Sequence, residues 1–159
     1  MSKHILLVED DEAKRTRLKF FLEGKFGTAR IELARSLQAG LRCLRNDKFD
    51  LIILDMTLPN YDPGPHEPGG KPQIFGGREF LRQMDRFDIN IPVIVVTQFA
   101  SFGRGSGLVN LKDLDEEMKK EYGTKYRGAV YYNAAIRGWA EQLIGLLDVA
   151  FADEGGERA

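Results

Sequence analysis

Three apolar runs in this chain end in polar groups able to do chemistry. Leu51-Ile52-Ile53-Leu54 runs into Asp55, followed by Met56-Thr57-Leu58-Pro59. His4-Ile5-Leu6-Leu7-Val8 runs into Glu9-Asp10-Asp11-Glu12, and Ile91-Pro92-Val93-Ile94-Val95-Val96 runs into Thr97. Continuous apolar runs bounded by charges or proline read as strands buried on both faces. In a parallel sheet such strand ends share one edge, where open α/β folds bind their ligands. If the first strand lies between the second and third, Glu9, Asp10 and Asp55 converge within a few ångströms. Uncompensated, that cluster is costly or forces protonation. A divalent cation relieves it, and Mg²⁺ prefers carboxylates, carbonyls and water. Asp10, Asp55 and a backbone carbonyl just after Asp55 are therefore candidate ligands, with Glu9 acting through a bound water. A carboxylate beside Mg²⁺ can attack a phosphoryl group to form an aspartyl phosphate. Metal and hydrogen-bond donors would neutralise the moving oxygens, and Thr97 is placed to donate one such bond.

The elements that must hold these groups follow in order. Helical spacing over 13–23 puts Leu18, Phe21 and Leu22 on one face, with Lys14, Arg15, Arg17 and Lys19 elsewhere. Asp11 can cap this helix, and Gly24 and Gly27 end it. Residues 29–34 alternate and predict a more exposed strand. Ser36 predicts an N-cap for a helix to Asn46 with a Leu37, Leu41, Leu44 stripe. Residues 60–77 hold four prolines and five glycines, which argues against helix or strand. A helix over 78–86 follows, with Phe80, Leu81 and Met84 inward. A second irregular stretch covers 98–107, and a helix is predicted over 108–122. Gly128-Ala129-Val130-Tyr131-Tyr132 reads as the last strand, and a helix over 136–151 closes the chain. Five strands alternating with five helices give a doubly wound, flavodoxin-like α/β domain over 1–151, strand order 2-1-3-4-5, with two long loops at the carboxyl edge. Residues 152–159 read as a disordered polar tail.

Bulk properties narrow the function. The chain has 159 residues, enough for one well-cored domain. A formal net charge of −1 gives no basic footprint for nucleic acid. No apolar run reaches the roughly 18 residues of a membrane span, and no signal peptide is visible, so a cytoplasmic location is expected. The single cysteine, Cys43, excludes an internal disulfide and reads as a small residue in or near the core.

Taken together, the Ile5–Glu12, Asp50–Pro59 and Ile91–Thr97 motifs resemble the receiver domain of two-component response regulators, over residues 4–150 or so. The resemblance implies that Asp55 is the phosphoacceptor and that Glu9 and Asp10 form the acidic pair, with Asp10 the direct Mg²⁺ ligand. It implies that Thr57 offers its backbone carbonyl to the metal. Thr97 would contact the phosphoryl group and move in switching, and Tyr132 would be the aromatic switch residue. A histidine kinase or phosphotransfer protein would supply the phosphoryl group, and a downstream protein target would receive the signal. No catalysis is expected beyond self-phosphorylation from a phosphodonor and self-dephosphorylation.

The chain departs from the family at one chemically important place. Receivers carry a lysine, usually followed by proline, just after the last strand; here Ala135 and Ile136 stand there, and Arg137 is the nearest cation in sequence. Gln98 replaces the usual small residue after the threonine. The absent lysine and the two long loops favour an alternative, a phosphorylation-independent pseudo-receiver that acts as a protein-interaction module. A phosphatase of the haloacid dehalogenase class would need an aspartate where Thr57 stands, as well as a lysine. Gly103-Arg104-Gly105-Ser106-Gly107 lacks the Lys-Ser/Thr of a phosphate-binding P-loop and reads as a connector. His66 and Glu67 are a weak metal pair. Phe75, Phe99 and Phe102 either fold back as local core or form a contact patch.

Overall fold

The computed structural model describes residues 2–62 and 72–157. Its main sheet is five-stranded and parallel: β1 (His4–Val8), β2 (Arg30–Ala34), β3 (Leu51–Leu54), β6 (Val93–Thr97) and β9 (Tyr126–Tyr131), in spatial order β2-β1-β3-β6-β9. This is the expected 2-1-3-4-5 order of a flavodoxin-like sheet. The three apolar runs are its interior strands, and every residue of β3 and β6 is buried. β2 lies at one edge and is the more exposed strand the alternation predicted.

Helices cover both faces. α1 (Glu12–Phe26) and α5 (Gly138–Glu157) pack on one side, where Leu18, Leu22, Trp139, Leu143 and Leu147 meet Ile5, Leu7, Ile53 and Val96. α2 (Leu37–Asn46), α3 (Gly76–Arg86) and α4 (Leu111–Tyr122) pack on the other, where Leu44, Phe80, Leu81, Leu114 and Met118 meet Leu6, Val8, Ile52 and Val95. Alternate residues of each buried strand thus feed two separate cores. The helix starts follow local chemistry: Asp11 accepts from the Lys14 amide, Ser36 from that of Ala39, and Asn110 from that of Asp113. Gly27 ends α1 at φ 49°, a conformation favoured by glycine.

Several boundaries and both loops differ from expectation. The proline-rich segment does contain strand: Pro72–Gln73 (β5) pairs antiparallel with Leu58–Pro59 (β4). Both prolines sit in a two-strand ribbon with free edges, where a missing amide is tolerated. Residues 63–71, including His66 and Glu67, lie outside the described residues. α3 begins at Gly76, ahead of the expected 78. The second irregular stretch is a hairpin, with Ser101–Phe102 (β7) against Val109–Asn110 (β8) and a single 3₁₀ turn, Gly105–Gly107, between them. Its pairing starts α4 at Leu111. Phe102 is buried, stacks against Phe75 and Phe99, and makes this loop part of the core, while Phe99 stays largely exposed. α5 starts at Gly138 and continues to Glu157, into the stretch read as a disordered tail, because extending an existing helix costs little per residue. Among the described residues no helix is long and apolar enough to cross a membrane.

Candidate functional site at the carboxyl edge

Strand register brings the predicted acids together. Val8 pairs with Leu54 and Leu54 with Val95, so β1, β3 and β6 end side by side. The Asp55 amide donates to the Val8 carbonyl at 3.1 Å, and the Glu9 amide to the Ala34 carbonyl at 2.9 Å, which extends the ladder one residue into the site. Carboxylate oxygens of Glu9, Asp10 and Asp55 all lie within 4.8 Å of one another. Glu9 and Asp55 are buried, whereas Asp10 sits exposed on the rim. Asp55 Oδ1 accepts from the Met56 amide at 2.8 Å, and Glu9 Oε2 from the Asp11 amide at 3.1 Å. Each buried carboxylate therefore keeps one fixed hydrogen bond to the chain.

A cation from the first helix, expected off its apolar face, completes the cluster. Lys14 is fully buried, and its Nζ lies 2.6 Å from Glu9 Oε1 and 3.4 Å from Asp55 Oδ2. It also donates to the Val96 carbonyl at 2.7 Å. Lys14 comes from the first turn of α1, on the row it shares with the buried Leu18 and Leu22. That spacing of four residues was the available signal: a lysine at the head of a buried row points inward. Arg15 also turns to the site's backbone, donating to the carbonyls of Glu9 and Asp10.

Charge is not balanced by this lysine alone. One ammonium faces two buried carboxylates with a third on the rim. Burial, reinforced by Asp55, pushes the Glu9 carboxyl up to about 8. Burial also raises Asp55, opposed by Lys14 and the Met56 amide. A site of clustered carboxylates with residual negative charge and all-oxygen donors suits a hard divalent cation.

The remaining expected residues take the following places. Thr97 is buried at the end of β6; its Oγ1 accepts from the Phe99 amide at 3.3 Å, and its carbonyl from the Tyr132 amide at 2.7 Å. Thr57 is partly exposed, and its hydroxyl donates to the Ile74 carbonyl at 3.3 Å. Tyr132 is buried, 5.0 Å from the Trp139 ring, and Lys14 Nζ lies 5.7 Å from its centroid. Ala135, Ile136 and Arg137 are exposed. The turn they occupy is closed by its own bonds, the Ala135 amide donating to Asn133 Oδ1, and Arg17 of α1 donates to the Ala134 carbonyl. Gln98 is exposed and, with Lys14, Tyr132 and Asn133, borders a cleft of about 300 Å³. Gly77 packs against the main chain of the site: a Cβ there would stand 2.6 Å from the Asp55 carbonyl oxygen.

Comparison with known proteins gives a consistent picture. Residues 5–105 match the family model described as the response regulator receiver domain. The chain is 38% identical over 136 residues to an uncharacterised protein, y4jR, of Sinorhizobium fredii, covering 84% of this chain and 89% of that one. It is 33% identical over 142 residues to the Detocs response regulatory protein DtcB of Enterobacter cloacae, covering 88% and 95%. Among solved structures, the signal receiver domain of an HD domain-containing protein from Pseudomonas fluorescens superposes with a TM-score of 0.66 at 18% identity, covering 98% of this chain and 99% of that one. A CheY-like receiver domain from Methanospirillum hungatei gives 0.59 at 22% identity, covering 96% and 99%. At these identities the structural likeness speaks for the fold.

Proposed function

Given that this chain belongs to the response regulator receiver family, we propose that it is a Mg²⁺-dependent phosphoacceptor that carries its phosphoryl group on Asp55. The observation that carries this reading is the buried Asp55 carboxylate, gathered with Glu9 and Asp10 within 4.8 Å at the carboxyl edge of the sheet. An oxygen of Asp55 forms the new bond to phosphorus. The bond from phosphorus to the donor breaks, and its electron pair leaves with the donor, a phosphohistidine of a histidine kinase or phosphotransfer protein. Glu9, Asp10, Asp55 and the Thr57 backbone carbonyl would hold Mg²⁺, which when bound neutralises charge on the transferring oxygens.

The chain's own residues do the rest. The Met56 amide fixes one oxygen of Asp55, and the Lys14 ammonium favours the ionised nucleophile. Thr97 stands at the neighbouring strand end with a hydroxyl available to a phosphoryl oxygen, and Tyr132 lies next to it through the Thr97 carbonyl. The signal then passes to a downstream protein through surfaces near these two residues. The pseudo-receiver alternative rests on the lysine missing at Ala135 and on the two long loops. Lys14, 3.4 Å from Asp55, offers a cation in place of the missing one and so favours the phosphoacceptor reading.

Incubation with Mg²⁺ and a small-molecule phosphodonor, followed by intact mass measurement, tests the reading. An acid-labile gain of one phosphoryl group in the wild type, absent in Asp55→Asn, is the expected result. Repeated absence of that gain, with Mg²⁺ binding demonstrated, would leave the interaction module.

A further inference from the structure

Lys14 holds more than the site's charge balance. Its three N–H donors are shared among three acceptors: Glu9 Oε1, Asp55 Oδ2 and the main-chain carbonyl of Val96. Two of these belong to the acidic site, and the third belongs to the penultimate residue of strand β6, one residue before Thr97. We propose that Lys14 is the cation that binds the phosphoryl group on Asp55, and that in binding it lets go of the Val96 carbonyl. This rests on the phosphoacceptor reading above and names the residue that senses its product.

The exchange follows from where the charge goes. Phosphoryl transfer to Asp55 replaces a single carboxylate charge with a group carrying about −1.5 to −2 at neutral pH and several strong acceptor oxygens. Among the described residues, Lys14 is the cation ion-paired with Asp55. In the acyl phosphate, Asp55 Oδ2 is a neutral oxygen, so the negative charge that holds the ammonium moves outward to the phosphoryl oxygens. An ammonium that follows this charge is drawn away from the main-chain carbonyl of Val96, the partner that carries no charge to hold it.

That loss falls where the chain can register it. The Thr97 carbonyl holds the Tyr132 amide at 2.7 Å, and its hydroxyl holds the Phe99 amide at 3.3 Å. The Lys14 ammonium faces the Tyr132 ring at 5.7 Å, and the Tyr132 ring packs at a tilt of 48° against Trp139 at the start of α5. Movement of one ammonium therefore touches the end of β6 and the aromatic pair behind β9 together. The cleft bordered by Lys14, Gln98 and Tyr132 gives this end of the sheet room to adjust. A purely structural Lys14 would stay with Glu9 and Val96 whatever Asp55 carried.

Lysine side-chain ¹⁵N resonances of the wild-type protein decide between these, recorded before and after phosphorylation by a small acyl phosphate with Mg²⁺. The Lys14 Nζ signal is expected to shift more than that of any other lysine, and the amides of residues 97–99 to exchange several-fold faster with solvent. In Lys14→Met, phosphorylation of Asp55 should slow on the order of a hundredfold, as on removal of one donor to developing charge, and the exchange response at 97–99 should vanish. An unmoved Lys14 resonance in phosphorylated wild type overturns the proposal and leaves the phosphoacceptor reading standing. So does a Lys14→Met chain with wild-type rate and response. If Lys14→Met does not fold, the wild-type resonance alone decides. Failure of wild-type Asp55 to take a phosphoryl group at all overturns both.

Discussion

Lys14 and Glu9 face each other at 2.6 Å with both side chains almost wholly withdrawn from solvent. Breaking a buried pair from one side leaves the other charge uncompensated, at a cost of about 3–5 kcal/mol. Lys14→Met should therefore lower unfolding stability by about that amount in Mg²⁺-free buffer above pH 8, where Glu9 is ionised. Lys14→Met combined with Glu9→Gln should lose much less than the sum of the two single changes, because neither buried charge is then stranded. Urea denaturation of the four proteins measures the coupling, and strictly additive losses would refute the pairing.

The raised Glu9 carboxyl makes stability depend on pH in a defined direction. Its folded value is about 8, against an ordinary 4.5. Between these values the folded chain holds a proton that the unfolded chain has released. The stabilisation is complete below the ordinary value and is lost as the pH rises through about 8. Metal-free Tm should thus fall from pH 5 to pH 8 through this group, and Glu9→Gln should flatten the fall. Mg²⁺ binding requires the deprotonated carboxyl, so the Tm gain on adding Mg²⁺ should grow over the same range. A gain that shrinks as the pH rises would contradict this.

Gly77 sets the closeness of α3 to Asp55. A Cβ at this position would stand 2.6 Å from the Asp55 carbonyl oxygen and 2.9 Å from Met56 Cα, both main-chain atoms that cannot swing aside. Gly77→Ala should cost about 1–3 kcal/mol as the helix start and the strand end are forced apart. Because the displaced atoms belong to Asp55 itself, phosphoryl uptake should slow as well. Melting curves and the intact-mass time course read the two effects separately. A variant of wild-type stability and wild-type rate would show that this contact is slack.

Trp139 offers an optical report. It is the single tryptophan, buried, between Phe21 at 5.3 Å and Tyr132 at 5.0 Å. Displacement of Lys14 from beneath the Tyr132 ring should alter that packing, and phosphorylation should change the intrinsic fluorescence. Asp55→Asn and Lys14→Met should each abolish the change. A signal that persists in Lys14→Met would point to a route through Thr97 alone.

The sheet was legible because burial on both faces leaves long apolar runs in β1, β3 and β6, each closed by a polar residue. The acids were legible for the same reason, since parallel strands place their ends on one edge. Lys14 was less legible because its charge sets it apart from the apolar face of α1 by type, although its spacing from Leu18 and Leu22 puts it on the buried row. The two small ribbons, β4–β5 and β7–β8, were missed because two-residue strands carry no periodicity. Their pairing is set by the tertiary contacts of Leu58 and Phe102, which bury themselves in the core.

With Lys14 supplied by α1, the acids and the cation of the site come from one short stretch, Glu9 to Lys14, together with Asp55. The turn from Asn133 to Arg137 is tied down by its own amide bonds and by Arg17, and among the described residues it is Lys14, not a residue of this turn, that pairs with Asp55. On the proposed reading, substitutions in that corner are relieved of chemical duty: they can change which molecules recognise it and leave the phosphoryl chemistry untouched.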